Sequence, residues 1–423
     1  MDAQAKTRTC DRKRNQPESL TSRGCHQICI PMTREQYDEI WNDAASVRQY
    51  LEPLIRDYPE MFPQSMADGY QLHGQLAESK KLPGVRLRQI RTKDGNVYSL
   101  RPSFAFSYMT GTVDELEKPL LLLSLHVPVR VVTLVFGRND MFWQRQLERM
   151  GRNSLLGTTV RVPEQMPEHL AADEHHLDWC GEKGFLAMTA AAGCILGAAL
   201  TKAADEEHLV EAYGVFRKEA DDLNPAWQPK TGNTDGWKAT RCAFMKLFPQ
   251  IILLLCFLHG FLKIRDRSRK NHDLHQRVWD VYRATSAEEF SSRMDALKTW
   301  SDSANLRGPV QENLEKLFAH KDDYAASYAH PECYRTSNQV DRPMNRICRS
   351  LYASRGLHGH QANSERRLRG LCLLENFRPF AQRSNSNRQH QSPAHRLSNR
   401  TYHPNWLHNL QAAASLQGFH RRT

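Results

Sequence analysis

Three aspartates in this chain have neighbours that suit metal-dependent phosphate chemistry. Asp173 ends the short apolar run His169-Leu-Ala-Ala-Asp173, Asp235 lies in Asn233-Thr-Asp235-Gly-Trp237, and Asp341 lies in Thr336-Ser-Asn-Gln-Val-Asp341-Arg-Pro-Met-Asn345. Moving a phosphodiester bond at neutral pH requires an activated oxygen nucleophile and a stabilised leaving oxygen. Two Mg²⁺ (or Mn²⁺) ions about 3.5–4 Å apart can do both. Such ions take hard oxygen ligands and keep several waters, so three carboxylates suffice if each projects from a rigid element. Taken singly, an Asp before Gly or at a strand end is a turn former or helix cap. The order of the three acids along the chain carries the weight.

The elements that must position them follow from periodicity. His169–Asp173, Phe185–Ala190 and Cys194–Leu200 read as strands, the last two split by Gly193, and Glu206–Leu223 reads as a helix with Leu209, Ala212, Tyr213 and Phe216 on one face. That helix stops before Asn224-Pro225. Asp235 should then sit at a strand-to-helix turn, with a helix to Phe248 and a buried strand over Ile251–Leu255. A mostly helical stretch from Arg265 to about Tyr328 separates this part from Asp341. Glu312 and Glu315 in that stretch are alternatives for the third acid. Asp173-Glu-His-His176 invites a zinc or iron reading, but alternation along a strand sends Asp173 and His175 to one face and Glu174 and His176 to the other.

Upstream, residues 1 to 30 are polar and basic without periodicity and read as a disordered tail. Cys10, Cys25, His26 and Cys29 within it match no zinc spacing. Thr33 and Gln36 form a capping-box pattern opening a helix to about Asp57. Alternation over residues 82–110, interrupted by Lys93-Asp-Gly-Asn96, predicts a hairpin. Helices over residues 113–125, 128–136 and 140–150, with Gly137-Arg-Asn139 between the last two, outline a helix-turn-helix candidate at about 128–150. Arg145 and Arg149, beside Gln144 and Gln146, would face DNA phosphates or base edges there; the alternative is an ordinary helical hairpin with solvated charges.

The chain carries a formal charge of +11 over 423 residues, enough length for two or three domains. From Arg342 to the end there are fourteen arginines, no lysine, and only Glu365 and Glu375 as acids. Arginine presents a fork that matches phosphate oxygens. Ser364-Glu-Arg-Arg-Leu-Arg369 predicts a helix with Leu368, Leu371 and Leu374 inside and Arg366, Arg367 and Arg369 outside, offered to DNA. Beyond residue 380 an Arg-rich extension runs to the end, with Tyr402 to Leu410 forming an ordered cap or a strap along DNA. Ten scattered cysteines and no apolar leader suggest a cytoplasmic protein with reduced thiols. The longest apolar run, Ile251 to Leu262, is too short to span a bilayer.

Four features together resemble the Mutator-like DDE transposases and related bacterial insertion-sequence transposases. Ala172-Asp173-Glu-His resembles the first-strand acid, and Asn233-Thr-Asp235-Gly-Trp237 the second acid. Cys256-Phe-Leu-His259 is similar to the Cys-x-x-His signature after it, and Thr336-Ser-Asn338-Gln-Val-Asp341 to the block holding the third. The resemblance covers about residues 150–380. It implies an α/β, ribonuclease-H-like catalytic core over 153–380 with a helical insertion over about 265–330, preceded by an α+β DNA-binding region over 31–152. It further implies two Mg²⁺ (or Mn²⁺) ions on Asp173, Asp235 and Asp341, cleavage and strand transfer of double-stranded DNA at a mobile element's ends, and a homo-oligomer on DNA. His259 and Arg342 would contact the DNA. Two departures stand out: the third acid is usually Glu in that group, and Pro343 falls early in the helix that should follow Asp341. They leave open a decayed or domesticated chain that binds DNA without cutting it. A ribonuclease or junction-resolving enzyme on the same fold is a further alternative.

Overall fold

The computed structural model describes residues 27–354, 356–381 and 391–419. Cys10, Cys25, His26 and most of the basic N-terminal tail lie outside the described residues, as does the Ser/Asn/Arg stretch 382–390. The tail's last residues differ from expectation. Gln27–Ile30 form strand β1, with Ile28, Cys29 and Ile30 fully buried.

The N-terminal elements are β1, helices α1 (Arg34–Ile40) and α2 (Ala44–Asp57), and strands β2 (Tyr70–Gln75), β3 (Arg88–Thr92) and β4 (Val97–Pro102). Helices α3 (Val113–Ser124), α4 (Val129–Phe136), α5 (Asp140–Met150) and α6 (Leu155–Val160) follow. The Thr33/Gln36 capping box opens α1 as the pattern requires, with Gln36 N–H donating to Thr33 Oγ1 and Thr33 N–H to Gln36 Oε1. The expected single helix to Asp57 is two, because Asp43 caps a new start at Ala44. The expected hairpin pairs β3 with β4, and β1 adds parallel to β4 to give a sheet in the order β1-β4-β3-β2.

The second sheet holds the acids. Its strands are β5 (His169–Trp179), β6 (Glu182–Ala191), β7 (Cys194–Thr201), β8 (Thr231–Thr234) and β9 (Ile252–Leu255), in the spatial order β7-β6-β5-β8-β9. β5, β6 and β7 form an antiparallel meander, and β8 and β9 then add parallel to β5. Helix α7 (Glu206–Leu223) connects β7 to β8, and α8 (Lys238–Leu247) connects β8 to β9.

Strand alternation divides the core into two layers. Leu170, Ala172, Ala187, Leu196 and Ala199 pack on one face against Leu209, Tyr213 and Phe216 of α7 and Phe244 of α8. Ala171, Leu186, Met188, Ile195 and Leu200 lie on the other, against α14 (Asn338–Ala353) and α15 (Gln361–Phe377). Burial on both faces explains why β7 has no polar alternation.

Between β9 and α14 lie α9 (Phe257–Arg267), α10 (His272–Tyr282), α11 (Ala287–Ser303), α12 (Pro309–Ala319) and α13 (Lys321–Ala325). They enclose a core of their own around Phe257, Phe261, Phe290 and Leu314. The helical insertion therefore starts at Phe257, earlier than expected. The chain ends in α16 (Pro393–Ser398) and α17 (Trp406–Ala413), which pack back onto the N-terminal elements; Cys29 N–H donates to Ser415 Oγ at 3.1 Å. Residues near both ends of the chain, Ile28 and Leu416 among them, thus lie in one hydrophobic core, which also holds Leu147 and Leu155 on either side of residue 152. Among the described residues no helix is long and apolar enough to cross a membrane.

Helix α15 departs most from expectation. Arg367 and Arg369 are buried, at 8% and 2% exposure, where the sequence suggested a DNA-facing row. Arg369 pairs with Glu219 of α7 and donates to the Asn153 carbonyl at 3.1 Å, while Arg367 donates to Ser354 Oγ at 2.8 Å. Arg366 is half-buried. Helix α5 lies so close to α15 that a Cβ on Gly370 would stand 2.1 Å from the Leu147 carbonyl oxygen. This contact covers Trp143, Gln146, Leu147 and Met150, so Gln146 is not free to read bases. Arg145 is exposed, but Arg149 is half-buried over the Tyr108 ring and donates to Gln146 Oε1.

Candidate active site

Asp173, Asp235 and Asp341 arrive from three different elements. Asp173 lies within β5, the central strand, opposite Met188 of β6, and shares the face of Ala171, the face that α14 covers. Asp235 follows the last residue of β8, where its Oδ1 accepts the Trp237 N–H at 2.7 Å and shapes the turn into α8. Gly236 in that turn has φ +90°, a conformation that favours glycine because it has no Cβ. Asp341 stands in the first turn of α14, where the helix dipole favours a negative charge. Pro343 lies in the second turn and α14 runs through it to Ala353, with the Gln339 carbonyl left without a helical N–H partner at that position.

The other two acids act on Asp173 electrostatically. Burial pushes the Asp173 carboxyl up to about 8, and the negative charges of Asp341, Asp235 and Glu174 add to the effect while His259 opposes it. His259 is pushed up to about 9, first by its hydrogen bond with Cys256, then by the charges of Cys256, Asp173 and Asp341, against burial. Glu174 faces the opposite side of β5, as alternation requires. It accepts from Tyr213 Oη at 2.6 Å and Thr240 Oγ1 at 2.8 Å, which fixes it to α7 and α8. Burial raises its pKa, against those two bonds.

A pH consequence follows. Because Asp173 titrates at about 8 when folded and near 3.8 ordinarily, its favourable contribution is intact below about pH 4 and is lost as pH rises through 8. Melting curves of the wild type and Asp173→Asn should therefore diverge from pH 4 upward, the variant gaining, and run parallel above pH 8–9. A difference that stays constant from pH 4 to 9 would contradict this account.

The chain returning from the insertion is pinned at several points. Arg335 is sandwiched between the Tyr282 and Tyr328 rings at 4.6 and 4.4 Å, and its backbone carbonyl accepts the Phe257 N–H. Asn233 Nδ2 donates to the Tyr334 carbonyl at 2.9 Å. Cys256 and Ser337, both buried, then form a clip: Cys256 Sγ donates to Ser337 Oγ at 3.2 Å, and Ser337 N–H donates to Cys256 Sγ at 3.1 Å. Ser337 Oγ in turn donates to Asp341 Oδ2 at 2.6 Å, and His259 Nδ1 lies 3.4 Å from Ser337 Oγ. Sequence reasoning named Cys256 and His259 but missed Ser337, whose signal was its place four residues before Asp341.

As a donor set, three carboxylates on a strand, a strand end and a helix start suit a hard divalent cation, and their mutual repulsion at Asp173 is the kind that a cation relieves. As the side chains stand, each carboxylate accepts from a donor close in sequence: Glu174 N–H, Trp237 N–H and Ser337 Oγ. Among the described residues no three His, Cys, Asp or Glu side chains are close enough to share one ion, so chelation requires side-chain rotation.

Two cavities meet at Asp235. The larger, about 950 Å³, is bounded by Asp173, Glu174, Phe185, Asp205, Glu206 and Trp237. The smaller, about 300 Å³, runs between α8 and the insertion. Glu312 and Glu315 are exposed on α12 and, like Asp341, border neither cavity. Arg342 is exposed next to Asp341, and His259 is half-buried. No protein-family model and no curated protein matches this chain.

Proposed function

We propose that the chain is a DNA transposase of the DDE/DDD type, cleaving the ends of a mobile element and joining them to target DNA. The observation that best supports this reading is the placement of Asp173 on the central strand, Asp235 after its neighbour β8 and Asp341 at the start of the helix that covers Asp173, on a sheet whose order and directions suit a ribonuclease-H-like core, with a helical segment ahead of the third acid. Two Mg²⁺ or Mn²⁺ ions held by these carboxylates would make a water or a 3′-hydroxyl nucleophilic and stabilise the departing oxygen. The protein's own groups do the rest. Asp173 holds its carboxyl on the central strand β5, Asp235 in the turn that follows β8, and Asp341 completes the set from α14. His259, protonated at neutral pH, offers a positive N–H to a phosphate oxygen beside them. Exposed Arg342 and Arg145 supply further phosphate contacts, and two element ends held at once call for more than one copy of the chain.

The test is nicking of a labelled duplex carrying the element's ends, with Mg²⁺ or Mn²⁺. Binding without nicking would instead support a chain that binds DNA but does not cut it. That second reading is favoured by the local donors to which the three carboxylates are turned.

The clip yields a second expectation. Removing a group that orients a metal ligand costs about 10–100-fold in metal affinity or activity. Cys256→Ala and Ser337→Ala should each weaken Mn²⁺ binding, read by electron paramagnetic resonance, within that range, while Cys256→Ser, which keeps a donor and an acceptor, recovers most of it. Equal loss in Cys256→Ala and Cys256→Ser would point to packing rather than to positioning.

A further inference from the structure

The smaller cavity differs in charge from its neighbour. Arg241 of α8, Lys263 of α9, and Lys316 and His320 of α12 border it, together with Asp235 and Asp323. His320 Nδ1 already lies 2.7 Å from Asp323 Oδ2, which accounts for that acid. Other lysines nearby are paired, Lys246 with Glu206 and Lys321 with Asp295, whereas Arg241, Lys263 and Lys316 form no ion pair among the described residues. Asn313 Nδ2 donates to the Lys263 carbonyl at 3.2 Å, tying α12 to α9 so that cations from two helices face one groove. The larger cavity is acidic by contrast, with Asp173, Glu174, Asp205 and Glu206 against Lys183 and Lys238. Both open onto Asp235.

We propose that this groove is a phosphate-backbone subsite in which Arg241, Lys263 and Lys316 hold the DNA strand as it leaves the acid cluster. The inference rests on the transposase reading and deepens it by assigning the insertion a substrate contact. Like charges crowded without partners repel one another in the free protein, and an array of phosphates relieves that repulsion while releasing counterions. A groove of about 300 Å³ suits a sugar-phosphate chain, not a folded partner, and its position beside Asp235 places bound phosphates next to the proposed chemistry.

The experiment measures binding of a short fluorescein-labelled duplex by anisotropy across a KCl series. It compares the wild type, the double variant Lys263→Ala/Lys316→Ala, and the control Lys218→Ala/Lys298→Ala, which removes the same charge from exposed lysines that border neither cavity. Each phosphate contact adds about 0.9 to the slope of log K against log salt, so the double variant should lose about 2 from that slope. The control should keep the wild-type slope, and all three should melt together because the four lysines are exposed. An unchanged slope in the double variant, or an equal fall in the control, overturns the subsite while leaving DNA binding intact. A wild type that binds no duplex overturns the transposase reading, and the subsite with it.

Discussion

Asp173→Asn is expected to reduce metal-dependent nicking by at least about 100-fold, since losing even a partner that only orients a metal ligand costs about 10–100-fold. The variant keeps shape and hydrogen-bonding capacity but lacks the charge, so the loss reports charge and not collapse. It should also melt no lower than the wild type at pH 8, because the wild-type carboxyl is held against burial and against the charges of Asp341 and Asp235. This combination, activity lost and stability kept or gained, distinguishes an acid retained for chemistry from one retained for packing. Asp235→Asn should cost activity similarly, though there the carboxylate also shapes the turn through the Trp237 N–H, which an amide oxygen can still accept. Nicking that persists at the wild-type rate in either variant would remove the acid from the proposed mechanism.

Arg369→Ala is expected to destabilise the fold by about 3–5 kcal/mol, the cost of leaving one member of a buried ion pair uncompensated. Its side chain is 3% exposed and that of its partner Glu219 6% exposed, and the loss of the donor to the Asn153 carbonyl adds to the effect. Replacing both, as in Arg369→Met with Glu219→Leu, should restore much of the stability, because a matched apolar pair carries no stranded charge. Arg342→Ala, on the surface, should change stability by less than about 0.5 kcal/mol. Urea unfolding of the three variants checks the ranking. If Arg369→Ala unfolds with the wild-type midpoint, the pair does not hold α15 to α7.

The arginine-rich end shows why composition misled. Arg346 and Arg378 both pair with Glu375, Arg369 pairs with Glu219, and Arg400 lies 3.6 Å from Glu60. Two of these acids belong to distant parts of the chain, so a charge count over the last fifth of the sequence cannot see them. The same blindness affected α5. Its Arg145/Arg149 spacing was legible, but the face that remains free was set by α15, more than two hundred residues away.

What the sequence determined by itself was local. Strand alternation, the Asn224-Pro225 stop, the Asp-Gly turns and the capping box at Thr33 depend on residues within a turn or two of one another, and the elements on either side of Asp235 stand close to where the sequence pattern put them, whereas β5 runs past its expected end at Asp173 to Trp179. Tertiary structure decided the rest. It placed Ser337 between Cys256 and Asp341, buried Arg367 and Arg369, merged the N- and C-terminal segments into one core, and gathered Arg241, Lys263 and Lys316 around one groove. The physical reason is that backbone propensity is paid out residue by residue, whereas a charge's fate depends on which distant groups share its low-dielectric surroundings, and only the packed chain fixes those.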